Sequence, residues 1–124
     1  MATVTKLTGI VAEHIRAVNE FDADAIVATF AEDAYVNDNR REIRGADAIR
    51  RWVNKEIVGD NVTIEPVEVL GHYGDVIVRG RYDGTYDKTN LPAELILSNY
   101  FSVRDGKIVS LAVIRNQPSE YDED

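Results

Sequence analysis

The chain has 124 residues, 44% hydrophobic and 29% charged, which is the size and composition of one globular domain and argues against disorder. It has no cysteine, so disulfide and thiolate chemistry are excluded, and its apolar runs are far too short to span a membrane. A net charge of −8, from 22 acidic and 14 basic residues, repels phosphate backbones, so nucleic acid and membrane are not expected partners. The N-terminus lacks the basic-then-apolar plan of a signal peptide, so a cytoplasmic location is the default expectation. One domain is expected over residues 1–124, with the acidic stretch 117–124 as a frayed tail.

Leu7, Ile10, Val11, Ile15 and Val18 recur at helical spacing and predict a first helix from Thr5 to Glu20. Asp22 can N-cap a second helix, Ala23 to Phe30. Tyr35 to Asp38 reads as a short extended segment and Asn39 to Arg44 as a polar loop. Gly45 opens a third helix whose buried stripe is Ile49, Trp52, Val53 and Ile57. Beyond Asn61 the texture changes to β-branched alternation. Strands are expected over Val62–Leu70, Val76–Tyr86, Ala93–Arg104 and Lys107–Arg115, with Pro66 marking an edge or a bulge and Asp105-Gly106 a hairpin turn. Three helices followed by a strand meander predict an α+β fold with the helices on one face of the sheet.

Three residues stand out against this frame. His14 lies on the apolar stripe of the first helix, where spacing alone favours a core histidine satisfied by a backbone carbonyl over a cavity-facing base. Asn99 is the one polar residue among Leu95, Leu97, Phe101 and Val103 on the third long strand. Its amide either ties down a neighbouring loop or points into a cavity. Asp38 sits in an Asn-Asp-Asn stretch that by itself reads as a turn. Beside an apolar cavity its carboxylate would lose hydration, which moves a carboxyl pKa up toward the range useful for proton abstraction.

The segments Asn19–Asp38 (NEFDADAIVATFAEDAYVND), Gly45–Trp52 (GADAIRRW) and Arg104–Ser110 (RDGKIVS), in that order, resemble the SnoaL-like and ketosteroid-isomerase-like families over Val4 to Asn116. The resemblance implies a cone-shaped α+β barrel, a curved antiparallel sheet with three N-terminal helices enclosing a pocket. It places Asp38, at the end of the A-x-D-A-x-V-x-D pattern, where the family's proton-shuttling aspartate stands. It places His14 and Asn99 where the isomerases carry an oxyanion-binding tyrosine and a protonated aspartate. Both replacements keep a hydrogen-bond donor and lose the original acidity, so a polyketide-type cyclase or another enolising enzyme fits at least as well as a steroid isomerase. A small apolar carbonyl compound is the expected partner, with no cofactor and no metal, and Trp52, Tyr82, Tyr86 and Phe101 are expected to line its pocket.

Two other readings compete. Arg81-Tyr82-Asp83 resembles the Arg-x-Asp pair of limonene-epoxide-hydrolase-like enzymes, but the final strand lacks the acid those enzymes also need, and Arg81 and Asp83 fall on the solvated face. A non-catalytic module that binds a small ligand or dimerises, as nuclear-transport-factor-like domains do, has the same fold. A homodimer is expected through the outer face of the third strand, Glu94, Ile96, Ser98, Tyr100 and Ser102.

Overall fold

Alternating apolar residues and tight turns build most of the molecule. The structure, a computed structural model, describes residues 7–89 and 91–115. Strands β1 (Phe30–Asp38), β2 (Arg41–Arg44), β3 (Thr63–His72), β4 (Asp75–Asp83), β5 (Leu95–Arg104) and β6 (Lys107–Arg115) form one sheet in the order β2-β1-β6-β5-β4-β3. The sheet is curved and unclosed, with the short β2 and the long β3 as its edges. It is also not wholly antiparallel, because β1 runs parallel to β6. The expected cone is therefore present, but as an open mixed sheet and not as a closed antiparallel barrel. The acidic tail expected at 117–124 lies outside the described residues.

Helices α1 (Gly9–Asn19), α2 (Ala23–Ala28) and α3 (Ala46–Trp52) pack on the sheet, and α3 continues into a π-helical segment, Val53–Val58. Asp22 caps α2 by accepting a 3.1 Å hydrogen bond from the Ala25 N–H. That helix stops sooner than its periodicity suggests. The Thr29 hydroxyl turns back onto the Ile26 carbonyl, and Phe30 enters the sheet opposite Ile108. A second departure is the segment read as a polar loop. Asn39 and Arg40 take positive φ, 50° and 76°, and fold the chain into a hairpin that sets Asp38 opposite Arg41.

The remaining turns follow the sequence. Asp105 and Gly106 adopt φ of 52° and 74° between β5 and β6, the two-residue geometry that suits twisted strands. Pro66 lies on the edge strand β3, beside a register shift between Pro66 and Glu68. Asn19 at the end of α1 both accepts from the Ile64 N–H (2.7 Å) and donates to the Ile64 carbonyl (2.9 Å), tying the helix to that edge. The core lies between helices and sheet, where Val11, Ile15, Val18, Ile26 and Ile49 meet Val36, Val78, Phe101, Ile108 and Leu111. Full burial of such side chains contributes roughly 1.5–3 kcal/mol each.

Candidate active site

A cavity of about 220 Å³ opens between the helices and the inner face of the sheet. Most of its wall is aliphatic, from Val18, Ile26, Val62, Leu97 and Leu111 among others, and its polar groups differ in burial and charge. We call the inner end the part with buried His14 and Asn99 and their neighbour Tyr82, and the rim the part with Asp38, Trp52 and Glu56 beside exposed Arg41; Asp60 and Tyr86 line the cavity as well. His14, Asp38 and Asn99 thus line one cavity, together with Trp52, Tyr82 and Tyr86. Phe101 does not line it. Although on the same strand face as Asn99, it lies one inward position further along, packed edge-on against the His14 ring with centroids 5.3 Å apart.

At the rim, β1 delivers Asp38 at its last residue and α3 delivers Trp52 at its own. Asp38 Oδ2 accepts from Trp52 Nε1 at 3.0 Å and from Arg41 Nη2 at 2.7 Å. Arg41 is clamped in turn by Glu56, at 2.8 Å and 2.6 Å. Those bonds, Glu56 first, hold the guanidinium above its ordinary pKa range. Among the described residues nothing bonds Asp38 Oδ1. The carboxylate is therefore fixed by one oxygen and open at the other, with its side chain 22% exposed.

The inner end has a different chemistry, built from buried neutral groups. The Thr29 hydroxyl oxygen lies 2.6 Å from the Ile26 carbonyl oxygen, a separation that requires a hydrogen between them. With its one hydrogen so placed, Thr29 can only accept from His14 Nδ1, 2.9 Å away. His14 is therefore the Nδ1–H tautomer. Burial lowers its pKa from 6.5 to about 4, so the ring is neutral near pH 7. Asn99 is oriented by the same logic. Its Nδ2 faces the Val78 carbonyl at 3.4 Å, so its Oδ1 accepts from the Tyr82 hydroxyl at 2.8 Å. Burial, with a lesser contribution from the Asp38 charge, raises the Tyr82 pKa against the opposing Asn99 bond.

Sequence reasoning missed three partners: Thr29, which sets the histidine tautomer, and Arg41 and Glu56, which hold Asp38. The Arg-x-Asp pair is outside the cavity. Arg81 pairs with Glu65 and Glu94, and Asp83 with Lys88, on the solvated side. Among the described residues no three His, Cys, Asp or Glu are grouped so as to hold a metal ion, and no helix is long and apolar enough to cross a membrane.

An open α+β cone of this kind defines a class of small domains with many known structures. Within that class the chain belongs to the SnoaL-like domain family, which matches residues 11–111. SalBIII, an epoxide hydrolase/cyclase-like enzyme of pyran ring formation in the polyether salinomycin, is 32% identical, with 87% of this chain and 88% of that chain covered and a TM-score of 0.77. A Sinorhizobium meliloti protein assigned to the polyketide cyclases is 29% identical, with 86% and 94% covered and a TM-score of 0.77. A Catenulispora acidiphila protein of ketosteroid-isomerase-like fold shares the architecture at 18% identity, with 87% and 85% covered and a TM-score of 0.74. No curated protein matches the chain.

Proposed function

We propose that the protein catalyses proton transfer on a small apolar carbonyl compound, as a polyketide-type cyclase or an isomerase. The supporting observation is Asp38, a carboxylate anchored through Oδ2 by Trp52 and Arg41 with Oδ1 open at an apolar cavity. In this reading Oδ1 takes a proton from the carbon beside a carbonyl. The resulting enolate either regains the proton elsewhere, completing an isomerisation, or attacks a second carbonyl of the same molecule. In the second case a C–C bond forms and the new alkoxide takes the proton back from Asp38. Asn99 keeps one Nδ2 hydrogen without a protein acceptor among the described residues, and that hydrogen is the donor assigned to the developing oxyanion. His14 has no N–H left for this role, since Nδ1–H is committed to Thr29.

β-Tetralone, a bicyclic enolisable ketone, provides the test. The protein should accelerate exchange of its α-hydrogens for solvent deuterium, followed by NMR. Asp38→Asn should lower that acceleration about 10²–10⁴-fold while ligand affinity changes little, as expected for a group acting in proton transfer. If the unaltered protein causes no acceleration and Asp38→Asn instead lowers the melting temperature sharply, the non-catalytic binding module is the better reading.

We also propose a homodimer through the outer face of the sheet. Tyr100 and Ile114 are 43% and 49% exposed there, with half-buried Ile77 opposite Tyr100. Tyr100→Glu should shift light-scattering mass from dimer to monomer; a monomeric unaltered chain at high micromolar concentration contradicts the proposal.

A further inference from the structure

His14 is buried and lines the cavity, yet its Nε2 has no partner among the described residues. Among the described residues no side-chain nitrogen or oxygen shut away from the cavity and solvent lacks a hydrogen-bond partner. Nε2 must therefore open onto the cavity, and as the bare nitrogen of an Nδ1–H tautomer it can only accept. The ring cannot easily turn to offer a hydrogen instead. Thr29 holds Nδ1 from one side, and Phe30 and Phe101 each pack edge-on against the ring with centroids at 5.3 Å.

Tyr82 and Asp38 have the same bias, whereas Asn99 still offers its second Nδ2 hydrogen. The Tyr82 hydrogen is committed to Asn99, and the Trp52 N–H to Asp38, so the oxygens of Tyr82 and Asp38 face a ligand as acceptors. A carbonyl oxygen can be met by the Asn99 Nδ2–H, but one placed against Nε2 would set lone pair against lone pair. A hydroxyl or enol O–H would satisfy it.

We infer that His14 Nε2 selects for substrates carrying a hydroxyl group at the inner end of the cavity, so that the compound acted upon is a hydroxylated or enolic carbonyl compound. This rests on the cavity being the substrate site, as proposed above, but not on Asp38 catalysing turnover. Within this assignment His14 is a specificity-determining residue, and the polarity of the site is set by Thr29 through the ring.

β-Naphthol and its methyl ether, which differ in having or lacking the O–H, serve as equilibrium probes. The unaltered protein should bind β-naphthol about tenfold more tightly than the ether, the scale of one neutral hydrogen bond. His14→Phe should bring the two affinities together without weakening the ether, whereas Asp38→Asn should keep the tenfold preference. Imidazole ¹⁵N NMR needs no variant, and with two histidines in the chain its assignment is direct. It should show His14 as the Nδ1–H tautomer in the free protein and an upfield shift of Nε2 on adding β-naphthol. Equal affinities, failure of β-naphthol to bind, a preference that persists in His14→Phe or an Nε2–H tautomer would each overturn the inference. Loss of deuterium exchange in Asp38→Asn bears on the catalytic reading alone, since these measurements involve no turnover.

Discussion

The two polar ends of the cavity are built on opposite principles. At the inner end His14, Thr29, Asn99 and Tyr82 are neutral, and their hydrogens run along two paths, from His14 through Thr29 to the Ile26 carbonyl and from Tyr82 through Asn99 to the Val78 carbonyl. At the rim Asp38, Arg41 and Glu56 are charged, and Arg41 is 55% exposed. Burial makes an unmatched group at the inner end costly, so each group there is held in one protonation state and one orientation. Water screens the rim, so its ion pairs contribute little to stability and serve mainly to orient a carboxylate. Stability and ligand polarity should therefore depend on the inner end, and chemistry on the rim.

The largest effect that would sharpen this contrast is acid destabilisation through His14. The unfolded chain binds a proton on this ring near pH 6.5, but the folded protein does so only near pH 4. Its contribution is whole above pH 6.5 and is lost as pH falls from 6.5 to 4, by about 3 kcal/mol at most. Urea unfolding at pH 7 and pH 4.5 should show a steeper loss for the unaltered protein than for His14→Phe. Parallel losses in the two proteins would mean that His14 is not buried neutral.

Next in size is Asn99→Leu, which removes the acceptor for the Tyr82 hydroxyl and a donor to Val78. It should cost about 2 kcal/mol, and less when introduced into Tyr82→Phe, where no hydroxyl is left unpaired. Equal costs in both backgrounds would dissolve the proposed network. At the rim, Arg40→Gly should stabilise the protein by about 1 kcal/mol, because Arg40 holds a φ of 76° that glycine adopts freely. Denaturant midpoints check this. Smallest in stability is Arg41→Met, expected to change it by less than about 1 kcal/mol. The same change should still slow deuterium exchange of β-tetralone, because Asp38 loses one of its two anchors. A large stability loss here would place the rim among the structural elements and break the contrast.

How much of this was legible in the sequence differs between the same two ends. The positions of His14 on a helical stripe and of Asn99 and Tyr82 on inward strand faces follow from periods of 3.6 and 2, and the structure brings all three to the cavity. Period does not say how far along a face the cavity extends, which is why Phe101 fell behind His14. It also cannot show the hydrogen path, because Thr29 lies 15 residues from its histidine. The rim was harder to read. Its β1–β2 hairpin turns on Asn-Arg where a glycine would have signalled it, and β2 is a four-residue edge strand whose charged residues resemble a loop. With the hairpin unseen, Arg41 could not be placed opposite Asp38. The Asp105-Gly106 turn had the expected residues and was read correctly.

On this reading Asp38 Oδ1 is the base of an apolar cavity whose inner end accepts through His14 Nε2 and donates through Asn99 Nδ2. A crystal structure of the protein with β-tetralone bound tests it most directly. The ketone should lie inside the cavity, with the carbon next to its carbonyl within about 3.5 Å of Asp38 Oδ1 and Oδ2 still held by Trp52 and Arg41. A ketone seated with no α-carbon near Oδ1, or bound outside the cavity while Asp38 stays turned to Arg41 and solvent, would contradict it.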